Sequence, residues 1–334
     1  MESNFIYKEG RLYVILMEKT VKKEDFIGRD FVSIDDFSFD EINFVLNHAK
    51  HIEDNFQDYK DNLSRKLMAP LFFEGSTRTN TSFQAAMIHM NGRILDFDVS
   101  QSSVKKGEIL RDTVKVIERY RPDIMVVRHN LDGSAILVAD SVKVPVINAG
   151  DGKNQHPTQT LLDLYTIKQI RENINGTKIA LIGDLKYGRT VHSLALALSG
   201  YSDCEIEFIS PDSLKMPAYL LEKLKSKIKF SEYGLERLNN LNKEFNIIYM
   251  TRVQRERFPE GPEGKEEYDK VCKEYHLKKQ MLKEVDSDFK ILHPLPKVHE
   301  IEPEIDDMPY AYYFDQLGNG LYIRMALLDL LVKK

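Results

Sequence analysis

Lys66-Leu67-Met68-Ala69-Pro70-Leu71-Phe72-Phe73 runs directly into Glu74-Gly75-Ser76-Thr77-Arg78-Thr79, and Phe83, Met87 and Met90 follow. A short apolar run, a polar turn and an apolar stripe at helical spacing predict a strand, a loop and a helix. The same grammar recurs along the chain. Upstream, Ser38-Phe39-Asp40-Glu41 has capping-box spacing, and Ile42, Leu46, Ala49, Ile52 and Phe56 follow on one helical face. Downstream, a helix over 109–120 precedes a strand at 124–127, and a helix at 134–139 precedes a strand at 144–148. Further strands are expected at 179–182, 206–209, 247–250 and 291–293, with a final apolar helix over 317–332 packing back onto a sheet. Strands alternating with amphipathic helices predict an α/β fold of parallel sheets flanked by helices.

The chain has 334 residues, about twice the usual ~150 of one domain, so two domains are expected. The main boundary falls near His156, where a loop at 148–155 gives way to a helix reaching about residue 170. Asp plus Glu number 52 against 47 Lys plus Arg, a net charge of −5, and a general nucleic-acid binder carries the opposite balance. Cys204 and Cys272 lie far apart and outside any CxxC, which excludes a disulfide scaffold and a cysteine zinc site and fits a reducing, cytoplasmic setting. The apolar run from Leu12 to Met17 is too short to span a bilayer, so no membrane partner is expected. The Lys- and Glu-rich segment 255–288 reads as a solvated excursion or as a mobile loop beside a site.

Ligands of parallel sheets gather beyond the carboxyl ends of strands, and the unusual residues fall there. Ser76-Thr77-Arg78-Thr79 sits at a helix start, where unpaired N–H groups, hydroxyls and a guanidinium suit an oxyanion, although an ordinary helix cap reads the same way. Gly183-Asp184-Leu185-Lys186-Tyr187-Gly188-Arg189-Thr190 is one residue from a P-loop, with Arg189 where a lysine belongs, and reads as a turn presenting Arg189. Arg128-His129, His156-Pro157-Thr158-Gln159, Thr251-Arg252-Val253-Gln254 and His293-Pro294-Leu295-Pro296 complete the set. The histidines lack HxH or HExxH spacing, so neither a metal nor another cofactor is expected. Arg78, Arg128, Arg189 and Arg252 at strand ends of an acidic chain point to a cleft for small anions.

Five of these segments in order resemble the catalytic chains of aspartate carbamoyltransferases, within the aspartate/ornithine carbamoyltransferase superfamily. They are Phe72–Thr79, the His156-Pro157-Thr158-Gln159-Thr160-Leu161-Leu162-Asp163 run, Gly183–Arg189, Met250-Thr251-Arg252-Val253-Gln254 and His293–Pro296. The resemblance implies transfer of the carbamoyl group of carbamoyl phosphate to L-aspartate, a step of pyrimidine biosynthesis. It implies a carbamoyl-phosphate domain of residues 1–156 plus 314–334, with the C-terminal helix returning to it, and an aspartate domain of residues 157–313. It also implies a homotrimer with shared active sites, and leaves a regulatory chain possible.

By the same resemblance Ser76, Thr77, Arg78 and Thr79, with Ser102 and Lys106 lent by a neighbour, hold the phosphate. Thr79, Arg128 and His156 face the carbonyl oxygen, while Gln159 and the carbonyls of Leu295 and Pro296 orient the amide. Arg189, Arg252 and Gln254, with Lys106, receive the aspartate carboxylates. Lys297, Asn80 and Gly75 depart from the family, which often has Arg, a basic residue and Ala there. Two rivals stand beside this reading: an ornithine carbamoyltransferase, whose cationic substrate Arg252 would repel, and a nonenzymatic P-loop-like nucleotide-binding module built on Gly183–Thr190.

Overall fold

The structure, a computed structural model, describes residues 3–8, 11–16, 20–99, 106–240, 245–255, 258–283 and 285–333, with side chains from residue 20 onward. Strands β1 (Ser3–Lys8) and β2 (Arg11–Leu16) pair antiparallel. The first parallel sheet comprises β3 (Leu67–Phe72), β4 (Arg93–Ile94), β5 (Ile124–His129) and β6 (Val146–Asp151), in the order β4-β3-β5-β6. The second comprises β7 (Lys178–Ile182), β8 (Glu205–Ile209), β9 (Lys229–Tyr233), β10 (Ile247–Met250) and β11 (Lys290–Leu292), in the order β11-β10-β7-β8-β9. Each sheet reverses its direction of growth once, between β3 and β5 and between β7 and β10. A crevice opens beyond the carboxyl ends of the strands at each reversal. Pro70 lacks an N–H for the ladder, yet β4 pairs only with Leu67 and Met68, so Pro70 lies past its end.

Helices α1 (Phe39–Asp54), α2 (Thr77–His89), α3 (Leu110–Glu118) and α4 (Ser134–Ala139) accompany the first sheet. The capping box at the start of α1 forms: the Ser38 hydroxyl accepts the Glu41 N–H at 3.3 Å, and the Glu41 carboxylate accepts the Ser38 N–H at 2.8 Å. Ile42, Val45, Leu46, Ala49 and Ile52 are buried on the inner face. Then come α5 (Pro157–Arg171), α6 (Arg189–Leu198), α7 (Ala218–Leu224), α8 (Pro262–Glu274) and α9 (Tyr313–Leu331).

Two helices differ in kind from the rest. Every residue of α5 from Pro157 to Ile167 is buried, and so is every residue of α9 from Ile323 to Leu331. A helix buried on all sides needs cover on all sides, and α9 packs against α1, α2 and α5. One continuous core therefore joins Met68, Ile124 and Ile147 of the first sheet to Ile179, Leu181 and Tyr249 of the second through Leu161, Leu164, Ile323 and Leu327. The C-terminal helix returns to the first sheet, as the sequence suggests.

Several expectations are corrected. Strand β5 continues through Arg128 and His129, because Phe72 pairs with Arg128 in register. Strand β6 starts two residues late and reaches Asp151, so half of the expected 148–155 loop is sheet. Segment 255–288 is no mere excursion: it contains α8, and Val271, Tyr275, Leu277 and Leu282 are buried in the second core. The two-residue β4 and the edge strand β9 (Lys-Phe-Ser-Glu-Tyr) carry too little apolar signal to be read. Among the described residues no helix is long and apolar enough to cross a membrane.

Candidate active site

The two crevices meet in one cleft of about 860 Å³. Arg78 enters from the β3–α2 turn and Arg128 from the end of β5, the two strands that flank the first reversal. Arg189 opens α6 after β7, and Arg252 follows β10, the pair flanking the second. Ser76 is the N-cap of α2, but its side chain makes no capping bond, so the first-turn N–H groups of α2 are left for another acceptor.

The guanidinium groups are held apart by fixed oxygens. Arg78 Nη2 donates to the Leu295 carbonyl at 2.7 Å. Arg128 donates to Glu74 at 2.8 Å and to the Ala149 carbonyl at 3.1 Å, and Arg189 donates to the Gly152 carbonyl. Gly150, with φ +119°, lies between two of them: a Cβ there would stand 2.9 Å from Arg128 Nη1 and 3.0 Å from Arg189 Nη2. Partial burial, and then the charges of Arg128 and Arg252, hold the Arg78 guanidinium below its ordinary value. That direction is the electrostatic mark of cations gathered in one place.

His156 is the N-cap of α5, with Pro157 in the first turn where no N–H is missed. It is buried, and its Nδ1 lies 3.3 Å from the Thr158 hydroxyl. With that hydroxyl donating to Nδ1, Nε2 carries the proton and can donate to an oxygen in the cleft. Burial, then the charges of Arg128, Arg189 and Arg324, push the imidazole well below the usual histidine range, so it is neutral at pH 7. Leu295 adopts φ +52°, a left-handed conformation held by its N–H donating to His293 Nδ1 at 2.8 Å.

The P-loop-like run has a different use for its backbone. Gly183, at φ +114°, brings the chain against Thr251 and Tyr275, and a Cβ there would meet the Tyr275 oxygen at 2.5 Å. The Asp184 N–H donates to the Thr251 hydroxyl, that of Leu185 to the carbonyls of Gly183 and Leu214, and that of Tyr187 to the Asp184 carboxylate. Those donors serve the fold and cannot also cradle phosphates.

Ser76, Thr77, Arg78, Thr79, Arg128, His156, Gln159, Arg189, Arg252, Gln254, Leu295 and Pro296 all line the cleft. Lys106 is exposed and is not part of its wall, and Ser102 lies outside the described residues. Lys297, the departure from the family pattern, pairs with Asp306 at 3.0 Å. Sequence reading missed Glu74, Tyr187 and Arg324, which also line the cleft. Arg324 carried a signal, a lone cation inside the apolar run Ile323-Arg324-Met325-Ala326-Leu327. Among the described residues no three His, Cys, Asp or Glu side chains are grouped to hold a metal ion.

Residues 29–169 match the family described as aspartate/ornithine carbamoyltransferase, carbamoyl-P binding domain, and residues 175–331 match its Asp/Orn binding domain. The chain belongs to the aspartate/ornithine carbamoyltransferase family. It is 48% identical to the aspartate carbamoyltransferase catalytic subunit of Thermococcus onnurineus over 307 residues, covering 91% of this chain and 96% of that one. The corresponding subunit of Methanosarcina barkeri is 48% identical over 309 residues, covering 91% and 97%. Among solved structures, the catalytic subunit of M. jannaschii aspartate transcarbamoylase aligns with a TM-score of 0.82 at 45% identity, covering 90% of this chain and 97% of that one. Aspartate transcarbamoylase from Trypanosoma cruzi in complex with carbamoyl phosphate and aspartate aligns with a TM-score of 0.86 at 31% identity, covering 94% and 100%.

The depressed His156 sets a pH dependence for this carbamoyltransferase-family fold. Below ~6.5 the unfolded chain takes up a proton at this residue that the folded chain refuses, so stability is lost as pH falls through that value. His129, His192 and His293 are depressed too and add the same sign. The buried Asp163 carboxyl, raised to about 7, acts with the opposite sign in this window, so the comparison is with a variant: between about pH 7.5 and about pH 5.5 His156→Gln should lose less of its urea midpoint than the wild type does. An unchanged slope in the variant would mean that His156 takes up its proton as readily in the folded chain as in the unfolded one.

Proposed function

We propose that the chain catalyses carbamoyl transfer from carbamoyl phosphate to L-aspartate, giving N-carbamoyl-L-aspartate and phosphate, as the catalytic chain of an aspartate carbamoyltransferase in pyrimidine biosynthesis. The carrying observation is the meeting of Arg78, Arg128, Arg189 and Arg252 in one cleft of an acidic chain. The aspartate carbamoyltransferase relatives, similar over nearly their whole length, support the same reading.

In this reading Ser76, Thr77, Arg78 and Thr79 hold the phosphate at the start of α2. The amine nitrogen of aspartate attacks the carbonyl carbon, and negative charge builds on the carbonyl oxygen. Thr79, Arg128 and the neutral His156 donate to that oxygen, each such donor typically contributing about 3–4 kcal/mol. The C–O bond to phosphate then breaks, phosphate leaves with the electron pair, and it takes the proton shed by the amine. Gln159 and the carbonyls of Leu295 and Pro296 accept from the carbamoyl NH2. Arg189, Arg252 and Gln254 receive the two carboxylates. Residues 1–156 with 314–334 form the carbamoyl-phosphate half and residues 157–313 the aspartate half, and their approach aligns the reactants and excludes water.

The active assembly in this reading is a homotrimer. Lys106 and Ser102 complete a neighbour's cleft, which accounts for an exposed Lys106 outside its own. Helix α3 follows that segment at once. Ile109, Val116 and Tyr120 are exposed around it, with Ile136 and Leu137 on the adjoining α4, an apolar face suited to another copy. The relatives' designation as catalytic subunits suits a regulatory chain as an additional partner. Two unpaired cysteines suit a cytoplasmic setting. Arg252 beside Gln254 favours a carboxylate over the ammonium of ornithine, and the committed N–H groups of residues 184, 185 and 187 disfavour a nucleotide module.

Purified protein should form N-carbamoyl-L-aspartate from the two substrates without added metal, measured by product formation. No product, or a preference for ornithine, sinks the reading. Arg252→Ala should mainly raise the aspartate KM and leave carbamoyl-phosphate binding nearly intact in calorimetry, whereas equal losses would reassign the residue. Inactive Lys106→Ala and Arg78→Ala proteins, mixed and reassembled, should regain part of the activity because hybrids contain intact clefts. Verified hybrids that stay inactive would count against a shared site.

A further inference from the structure

A chain of polar groups centred on the buried Asp163, which itself takes no part in the steps above, runs between the sheets. Asp163, on α5, has no exposed surface. Its Oδ1 accepts from Gln159 Nε2 at 2.9 Å and from Gln316 Nε2 at 2.7 Å, and its Oδ2 accepts from the Tyr249 hydroxyl at 2.9 Å. Gln316 also accepts the His293 N–H at 2.8 Å. His293 accepts the Leu295 N–H on Nδ1, and its Nε2 lies 2.8 Å from Glu300. One carboxylate thus ties α5, β10, α9 and the 293–296 turn together.

A primary amide has two unlike ends, an NH2 that donates and an oxygen that accepts. Because the Gln159 NH2 is committed to Asp163, the end left for the cleft is its oxygen. The Leu295 backbone is likewise held on both sides, by its N–H on His293 and by its carbonyl on Arg78, and that carbonyl keeps a second lone pair beside the Arg78 bond. We propose that Asp163 is a positioning residue that makes the cleft selective for an acyl phosphate bearing an NH2 group. By accepting both glutamine amides it fixes the Gln159 oxygen directly, and the Leu295 carbonyl through Gln316 and His293, as acceptors.

The inference rests on the carbamoyl-transfer reading. Acetyl phosphate has the same phosphate and carbonyl and nearly the same shape, but its methyl gives those acceptors nothing, which costs most at the buried Gln159 oxygen. Arg324 stabilises the arrangement from α9. It is buried, its guanidinium lies 5.3 Å from the Phe83 ring centre, and its Nε has no partner among the described residues. Burial raises the Asp163 carboxyl and lowers the Arg324 guanidinium, and the charge of each partly offsets the shift of the other.

The test compares kcat/KM for carbamoyl phosphate and acetyl phosphate, with aspartate as acceptor, in the whole wild-type protein and in Asp163→Ala, Asp163→Asn and Gln316→Met. Asp163→Ala and Gln316→Met should each lose about ten- to hundredfold of the preference for carbamoyl phosphate, chiefly through its KM. Asp163→Asn should keep the preference within about threefold, because the Asn oxygen can accept both glutamine amides while its NH2 donates to the Tyr249 hydroxyl. Should Asp163→Ala fail to fold, Gln316→Met decides alone. If the two donors decline in parallel in the folded variants, the proposal is overturned and Asp163 only supports the fold. A wild-type protein that transfers no carbamoyl group overturns the underlying reading and this inference with it. Normal wild-type transfer with an unaltered ratio in the variants overturns the selectivity alone.

Discussion

Guanidinium groups brought into one cleft repel each other, and the architecture is arranged around holding them there. Three of them have counterweights that the structure names. Arg78 leans on the Leu295 carbonyl, Arg128 on Glu74 and the Ala149 carbonyl, and Arg189 on the Gly152 carbonyl. Most of these partners are peptide oxygens, which offset charge without cancelling it. The field left over can still attract anions, and its donors are in place before any substrate arrives, the condition under which electrostatic stabilisation works best. The glycine at position 150 belongs to the same constraint, because a side chain there would occupy the space where Arg128 and Arg189 approach each other.

Helices α5 and α9 make that placement possible. Buried from both sides, they carry polar groups that bond along and across the pair, with the Thr160 hydroxyl and Arg324 Nε as exceptions among the described residues. Asn319 donates to the Thr166 hydroxyl at 3.0 Å, the Thr166 hydroxyl to the Leu162 carbonyl at 2.8 Å, and Gln316 to Asp163. Apolar packing alone would tolerate a small slide of one helix past the other. A satisfied polar network does not, so it fixes the register between the sheets and hence the width of the cleft.

Much of this was legible in the chain. The α1 capping box, the buried strands and the helix after His156 followed from periodicity and caps, because local chemistry and tertiary burial agree there. The candidate site was legible because cations stand at strand ends, and parallel topology sends strand ends to one edge. What escaped had weak local signals or distant partners. Three of the five residues of the edge strand β9 are charged or polar, and β4 is two residues long. Segment 255–288 looks solvated in composition, yet Tyr275 reaches in to donate to the Thr251 carbonyl at 2.7 Å. Asp163 and Arg324 are buried charges on two different helices, and their relation across more than a hundred and fifty positions of sequence is visible only after folding.

The return of α9 to the first sheet also orders events during synthesis. Strands β3 to β6 leave the ribosome long before α9 does, yet the core that covers one face of them includes Ile323, Leu327 and Leu331. Helices α1 and α2 belong to that core, and they lack α9 while the whole second sheet is being translated. The nascent chain therefore carries an unfinished apolar surface on those two helices until its last helix emerges.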